Sequence, residues 1–241
     1  MCRMMGVISN RLESVEDWIE PLVHQSRYGN KNPHGDGYGI AFFENGQLHT
    51  RREVAPIWER KTDFSTDAGK ILILHTRKAS KGSINLNNVH PFTATTDDHS
   101  FVFCHNGTVF DIDKLRPSKK PEYDDSSDSR IYFELFLNKY ELTGDFVEAV
   151  RTTVSDIASS CSSITSMNAF FSDGKRLVVV RYCLDEEVYY TLGYTPLKGP
   201  DNGYLITTQQ YDDHTPWKWL DNKTITVFEP DGFEQFSISD H

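Results

Sequence analysis

The 241-residue sequence is poor in cysteine and in positive charge, and each shortage argues against a class of protein. Its four cysteines lie far apart and form no CxxC pair, which disfavours both a disulfide-stapled domain and a zinc finger. Lysine and arginine number 25 against 35 aspartate and glutamate residues, so the net charge is −10. A protein this acidic, with no basic cluster, is not expected to bind nucleic acid or an anionic membrane.

Long hydrophobic runs are missing as well. Residues 1–7 lack the apolar stretch of a signal peptide, and no later segment has the length of a membrane span. We therefore expect a cytoplasmic protein whose cysteines are reduced thiols. The sequence also lacks an HExxH motif, a GxxxxGK[ST] loop and a GxGxxG motif followed by a helix, so we predict neither a metal ion nor any other cofactor.

Short apolar segments bounded by turn residues predict strands at many points along the chain. These segments are residues 38–43, 71–74, 101–104, 168–171, 177–182, 188–192, 204–208 and 224–228. Two pairs of them flank Asn45-Gly46 and Asp173-Gly174, which supply the positive φ angles of tight hairpin turns. The sheets are therefore expected to be largely antiparallel.

Helical periodicity is found in three segments, residues 15–25, 129–140 and 145–159. Because helices and strands mix without strict alternation, the pattern favours the α+β class. The sequence contains no internal repeat and no linker rich in glycine, serine or proline, which favours a single domain.

Cys2 is the first candidate for chemistry, because removal of Met1 would leave this cysteine with a free α-amine. An α-amine has an ordinary pKa of about 7.7 to 8.0, which suits it to accept the thiol proton. One residue could thus supply both nucleophile and base. By itself the position is weak evidence, since any residue can follow an initiator methionine.

Three other segments place polar groups next to predicted strands or helices. Arg77 follows the segment 71–74 and could bind a carboxylate, although a surface arginine is the simpler interpretation. Asn106 and Gly107 follow the segment 101–104, where an amide group and a backbone N–H could stabilise an oxyanion, or where the pair could form a hairpin turn. Asp128 precedes a helix and could accept an ammonium group, or it or Ser127 could cap the helix.

The order of these segments resembles the class II glutamine amidotransferases. Met-Cys-Arg opens the chain, and the family's other motifs follow in order: His-Thr-Arg-x-Ala-Ser-x-Gly (75–82), Asn-x-His-Pro-Phe (88–92), His-Asn-Gly-Thr (105–108) and Ser-Asp-Ser (127–129). Residues 36–41 are similar to the Asp-Gly-x-Gly-Ile-Ala segment of the short, single-domain YafJ-type members, which the sequence resembles most. The motifs extend to about residue 135, and the second half carries none that we recognise.

The resemblance implies the four-layer αββα fold of N-terminal-nucleophile hydrolases, with two mainly antiparallel sheets between helix layers and a single domain over residues 2–241. It implies that Cys2 is the nucleophile once Met1 has been removed. It further implies that Asn106 and Gly107 form the oxyanion hole.

The resemblance also implies how glutamine would be bound. Arg77 corresponds to the residue that binds the α-carboxylate, and Asp128 to the one that accepts the α-ammonium group. Ser80 stands where threonine is common near the bound glutamine, and His90 matches a histidine close to the site. Lys81 replaces a histidine of the sugar-phosphate amidotransferases, which argues against kinship with that subgroup.

The expected activity is that of a glutaminase-type amidotransferase, in which Cys2 attacks the γ-amide of glutamine, forms a γ-glutamyl thioester and releases ammonia. A glutaminase domain nearly exhausts 241 residues, so ammonia would be used by a separate enzyme or simply released. Two alternatives stay open. The protein could hydrolyse γ-glutamyl amides or peptides of thiol metabolism on the same fold, or it could be a catalytically silent glutamine-binding module.

Overall fold

The computed structural model describes residues 2–31, 33–80, 82–96, 99–116, 127–198 and 202–238. Helices in this part of the chain are α1 (Glu16–Tyr28), α2 (Asp128–Thr143) and α3 (Phe146–Ser160). Strands are β1 (Arg3–Ser14), β2 (Tyr38–Glu44), β3 (Gln47–Glu53), β4 (Ala68–Thr76), β5 (Phe92–Thr95), β6 (Ser100–Val109), β7 (Ile164–Ser172), β8 (Leu177–Arg181), β9 (Gly193–Pro196), β10 (Gly203–Thr207), β11 (Lys218–Trp219), β12 (Thr224–Glu229) and β13 (Gly232–Ser237).

These strands form two antiparallel sheets, as the hairpin signals predict. The first sheet has the order β11-β9-β10-β1-β4-β2-β3, and the second has the order β13-β12-β8-β7-β6-β5. Strand β4 shows why the central strands have continuous apolar runs. Ile71 and Ile73 point between the two sheets, while Leu72 and Leu74 point to the opposite face, against α1. Each face of the strand is therefore buried.

Three apolar clusters fill the interfaces between successive layers. One lies between α1 and the first sheet, and another lies between the second sheet and the pair α2–α3. The third joins the two sheets, and we call it the inter-sheet core. Its members include Met4, Ile8, Ile73, Val102, Cys104, Phe170 and Val179. No helix among the described residues combines the length and the apolar character needed to cross a membrane.

The two predicted hairpin turns are confirmed. Asn45 and Gly46 connect β2 to β3 with φ angles of 50° and 79°. Gly174, with a φ angle of 82°, lies in the turn between β7 and β8. The Asp173 carboxylate closes that turn by accepting hydrogen bonds from the backbone N–H groups of Lys175 and Arg176 at 3.0 and 2.9 Å.

The predicted strand at residues 188–192 is wrong. The backbone N–H groups of Tyr189 and Tyr190 both donate to the carbonyl of Glu186, at 2.8 and 3.1 Å, which makes this segment a turn. Glu186 has a positive φ angle of 53°, and the side chain of Val188 is 92% exposed. Tyr190 and Leu192 are nevertheless buried, so apolar residues that suggested a strand pack inward from a turn, and β9 begins only at Gly193.

Two histidines are enclosed at the edge of the inter-sheet core. The rings of His75 and His90 lie 4.4 Å apart, and both residues are buried. Burial lowers the pKa of His75 to about 3 and that of His90 well below its ordinary value. Both rings are therefore neutral in the folded protein near pH 7.

This burial predicts that the protein loses stability in weak acid. In the unfolded chain His75 binds a proton below about pH 6.5, whereas in the folded protein it does so only near pH 3. Its contribution to the free energy of unfolding is therefore complete above pH 6.5 and declines as the pH falls from about 6.5 towards 3. We expect a slope of about 1.4 kcal/mol per pH unit from each such histidine. Denaturant unfolding of the wild type and His75→Gln between pH 7 and about 5 measures it.

The quantity compared is the slope of the unfolding free energy against pH. A loss of stability that is the same at every pH does not change this slope. His24→Asn, which removes an exposed ring on α1, should keep the wild-type slope. Equal slopes for the wild type and His75→Gln would contradict the assignment.

Candidate active site

Cys2 lies immediately before β1, at the boundary between the two sheets. Its side chain is nearly buried, with 8% of its surface exposed, and its Sγ lies 3.9 Å from the carbonyl oxygen of Lys78. The Cys2 nitrogen donates a hydrogen bond of 2.9 Å to Oδ1 of Asn106 in the second sheet. The structure therefore joins two residues that are 104 positions apart in the sequence. Met1 lies outside the described residues.

Asn106 and Gly107 lie inside β6, and this corrects the expectation that the strand ends at them. The strand continues to Val109, so the alternative of a hairpin turn is wrong as well. Gly107 has a φ angle of 157°, and a Cβ atom at this position would overlap the carbonyl oxygen of Ser166 in β7. Close approach of β7 therefore requires glycine here, where the sequence alone suggested a turn.

His105 fixes this part of β6 to two other elements. Its Nε2 lies 3.1 Å from the carbonyl oxygen of Ser166, and its Nδ1 lies 2.9 Å from Oγ of Ser129 in α2. A carbonyl only accepts, so Nε2 carries the proton, and Nδ1 accepts from the Ser129 hydroxyl. Burial lowers the pKa of His105, which favours this neutral form. The resemblance gave His105 no role, and its partners are distant in sequence.

Asp128 begins α2, and its carboxylate turns toward β6. Oδ2 accepts a hydrogen bond of 2.8 Å from the backbone N–H of Val109, two residues beyond Gly107. Ser127 occupies the N-cap position of the helix but makes no side-chain capping bond there. Asp128 is 3% exposed, so its carboxylate is buried beside the strand that carries Asn106.

Arg77 follows directly after β4 and is also buried, with 3% of its surface exposed. Its backbone is held by hydrogen bonds with the neighbouring segment, from Arg77 N to the Gly37 carbonyl at 2.8 Å and from Asp36 N to the Arg77 carbonyl at 2.9 Å. Its guanidinium group donates to the carbonyls of Ser83 and Gly82 at 2.9 and 3.3 Å. The loop after β4 thus folds back over the arginine that begins it.

Ser80 makes a polar contact with β6, whereas the ring of His90 packs against an aromatic ring. Oγ of Ser80 lies 3.1 Å from Oγ1 of Thr108, which places it beside β6 next to Gly107. The ring of His90 stacks on Phe92 with centroids 4.2 Å apart, and the residue is 3% exposed, so this ring is packed inside the protein. Lys81 lies outside the described residues, as do residues 117–126, which precede Ser127.

The region contains the thiol of Cys2, the amide of Asn106, and the oppositely charged side chains of Arg77 and Asp128. Among the described residues, no group of three or more histidine, cysteine, aspartate or glutamate side chains is arranged to hold a metal ion. Strand β6 connects three of the site residues suggested by the sequence: Asn106 bonds to Cys2, Thr108 to Ser80 and Val109 to Asp128, whereas the Arg77 side chain is held by the loop after β4.

Comparison with known proteins identifies the family. The sequence profile described as "Glutamine amidotransferases class-II" matches residues 1–200, which is most of the chain. The chain belongs to this family. Its relatives include YafJ of Escherichia coli strain K12, named by inference as a glutamine amidotransferase, with 26% identity over 76% of this chain and 73% of YafJ. An uncharacterized protein of Methanocaldococcus jannaschii is 23% identical over 95% of this chain and 69% of its own length.

Similarity to solved structures supports the same fold. A glutamine phosphoribosylpyrophosphate amidotransferase from B. subtilis superposes with a TM-score of 0.75 at 16% identity. The match covers all of this chain and 50% of that one, so the chain spans about half the length of this relative. The predicted four-layer αββα fold, the YafJ-type resemblance and the class of N-terminal-nucleophile amidohydrolases are thereby confirmed.

Proposed function

We propose that the protein hydrolyses the γ-amide of glutamine with Cys2 as nucleophile, after Met1 has been removed. The observation that carries this proposal is the 2.9 Å hydrogen bond from the Cys2 nitrogen to Oδ1 of Asn106. Loss of Met1 would convert this nitrogen into an α-amine at the same place. Because the Asn106 oxygen accepts from that amine, the side-chain NH₂ stays available as an oxyanion donor.

The proposed reaction proceeds through a thioester. The α-amine takes the thiol proton, and the Cys2 sulfur forms a bond to the amide carbon of glutamine. The oxygen that gains negative charge is stabilised by the NH₂ of Asn106 and the N–H of Gly107. The α-ammonium group then returns its proton to the leaving nitrogen as the C–N bond breaks, and ammonia departs. Water attacks the γ-glutamyl thioester, which restores the thiol and releases glutamate.

Recognition of the substrate is assigned to the two buried charges. Arg77 would bind the α-carboxylate of glutamine, and Asp128 would accept its α-ammonium group. Ser80, beside Thr108 of β6, would contact the bound substrate, and His90 would form the wall of the pocket. A zwitterionic substrate suits this pair, since each buried charge gains an opposite partner.

We further propose that residues 2–241 form one glutamine amidotransferase domain that acts in the cytoplasm, where a thiol nucleophile stays reduced. We propose that the ammonia passes to a separate acceptor enzyme. Without such a partner the ammonia would be released into solution.

Replacement of Asn106 by alanine should separate catalysis from binding. Loss of one oxyanion donor reduces kcat of acyl-transfer enzymes about 100 to 1,000-fold, and we expect that loss for Asn106→Ala with little change in KM. Arg77→Ala should instead raise KM for glutamine. Steady-state measurement of ammonia release tests both variants. A kcat for Asn106→Ala close to that of the wild type would show that Asn106 is not the oxyanion donor.

Substrate comparison distinguishes the proposal from its two alternatives. We expect the processed protein to release ammonia from L-glutamine, because the paired charges of Arg77 and Asp128 match its head group. The assay runs beside cleavage of γ-glutamyl peptides. Cleavage of the peptides without activity on glutamine would favour the γ-glutamyl hydrolase and overturn the proposal. Inactivity on both, with Met1 retained in protein from its native source, would favour the silent module.

A further inference from the structure

Asn88 lies between the two residues that would bind the head of glutamine. It ends a short 3₁₀ helix (Leu86–Asn88), and its side chain is 2% exposed. Its Nδ2 donates a hydrogen bond of 3.1 Å to the carbonyl of Ser83, the same oxygen that accepts from Arg77 at 2.9 Å. One carbonyl therefore holds both the Arg77 guanidinium group and the Asn88 amide.

The other end of the Asn88 amide reaches the start of α2. Its Oδ1 accepts a hydrogen bond of 3.1 Å from the backbone N–H of Ser127, which directly precedes Asp128. A continuous chain of hydrogen bonds thus runs from Arg77 through the Ser83 carbonyl and Asn88 to Ser127. Of the groups that these hydrogen bonds link, Arg77 alone is charged.

Packing around Asn88 leaves little room for adjustment. Gly82 has a φ angle of 77°, and a Cβ atom on it would lie 3.1 Å from Nδ2 of Asn88 and 3.2 Å from the nitrogen of Ser127. The backbone of the loop therefore rests directly on the Asn88 link. A displacement of this side chain would move the loop that holds Arg77 or the first turn of the helix that carries Asp128.

We propose that Asn88 is a positioning residue, which fixes the separation of the Arg77 guanidinium group and the Asp128 carboxylate so that both engage one amino-acid head. The inference rests on the proposed function, because it takes these two groups as the binding site for the head. An uncharged amide suits the role, since one side chain donates toward the arginine side and accepts from the aspartate side without competing for either charge of the substrate.

The test is protection of Cys2 by glutamine against alkylation with iodoacetamide, followed by peptide mass spectrometry. Iodoacetamide has no amino-acid head, so its rate of reaction without glutamine reports the nucleophile alone. Asn88→Ala should alkylate at a rate within about twofold of the wild type, but should need roughly tenfold more glutamine for half-protection, because it loses both hydrogen bonds that link the loop of Arg77 to the start of α2. A matched control is Asn87→Ala, which removes an exposed neighbouring amide and should change neither value.

Folding is monitored in the same samples by Cys104, which is fully buried and should stay unmodified unless the interior opens. Asn88→Asp provides a second variant that keeps the acceptor for Ser127 and loses the donor to Ser83. It should weaken glutamine protection as well. Unchanged half-protection in both folded variants would overturn the role of Asn88 and leave the proposed function standing. Failure of glutamine to protect wild-type Cys2 at any concentration would overturn both.

Discussion

The site depends on a single hydrogen bond between the two sheets, from the Cys2 nitrogen to Asn106. Cys2 precedes the first sheet's β1 and Asn106 belongs to the second sheet's β6, so neither sheet contains the site alone. Met4, two residues after Cys2, and Cys104, two residues before Asn106, bring their sulfur atoms within 3.5 Å of each other inside the inter-sheet core. Apolar packing of the sheets therefore sets the polar contact at their edge.

The two buried charges impose a second constraint. Removing a guanidinium group and a carboxylate from water is costly unless hydrogen bonds compensate. Carbonyl oxygens of the loop after β4 accept hydrogen bonds from the Arg77 guanidinium group, and the backbone N–H of Val109 donates one to the Asp128 carboxylate. These partners are backbone groups whose positions are set by the fold. The charges are consequently held in place before any substrate arrives, which reduces the reorganisation needed on binding.

Much of the fold could be predicted from the sequence, because buried strands such as β4 carry apolar residues on both faces. Strand β1 was not predicted, since charged residues such as Arg3 and Glu13 interrupt its apolar pattern. The edge strands β3 and β13 are mainly polar and contain no apolar run, so β3 was indicated only by the Asn45-Gly46 turn before it. At residues 188–192 the opposite error occurred, because a turn that buries Tyr190 and Leu192 has the apolar composition of a strand.

Prediction of the site was limited in a different way. The order of short motifs brought out Cys2, Asn106 and Asp128, but each motif was ambiguous when considered alone. Asn106 and Gly107 read locally as a turn, and only the approach of Ser166 from β7 explains the glycine inside a strand. Asn88 and His105 belong to recognised motifs, yet their partners Ser127 and Ser129 become neighbours only through folding. Long-range contacts of this kind leave no local pattern.

The central claim is that Cys2 becomes an N-terminal nucleophile for a glutamine-like substrate. Intact-protein and peptide mass spectrometry after treatment with a glutamine-mimicking diazoketone tests it most directly. We expect a single adduct on the sulfur of Cys2 in protein that has lost Met1. An unmodified Cys2 in protein that retains Met1 would contradict it.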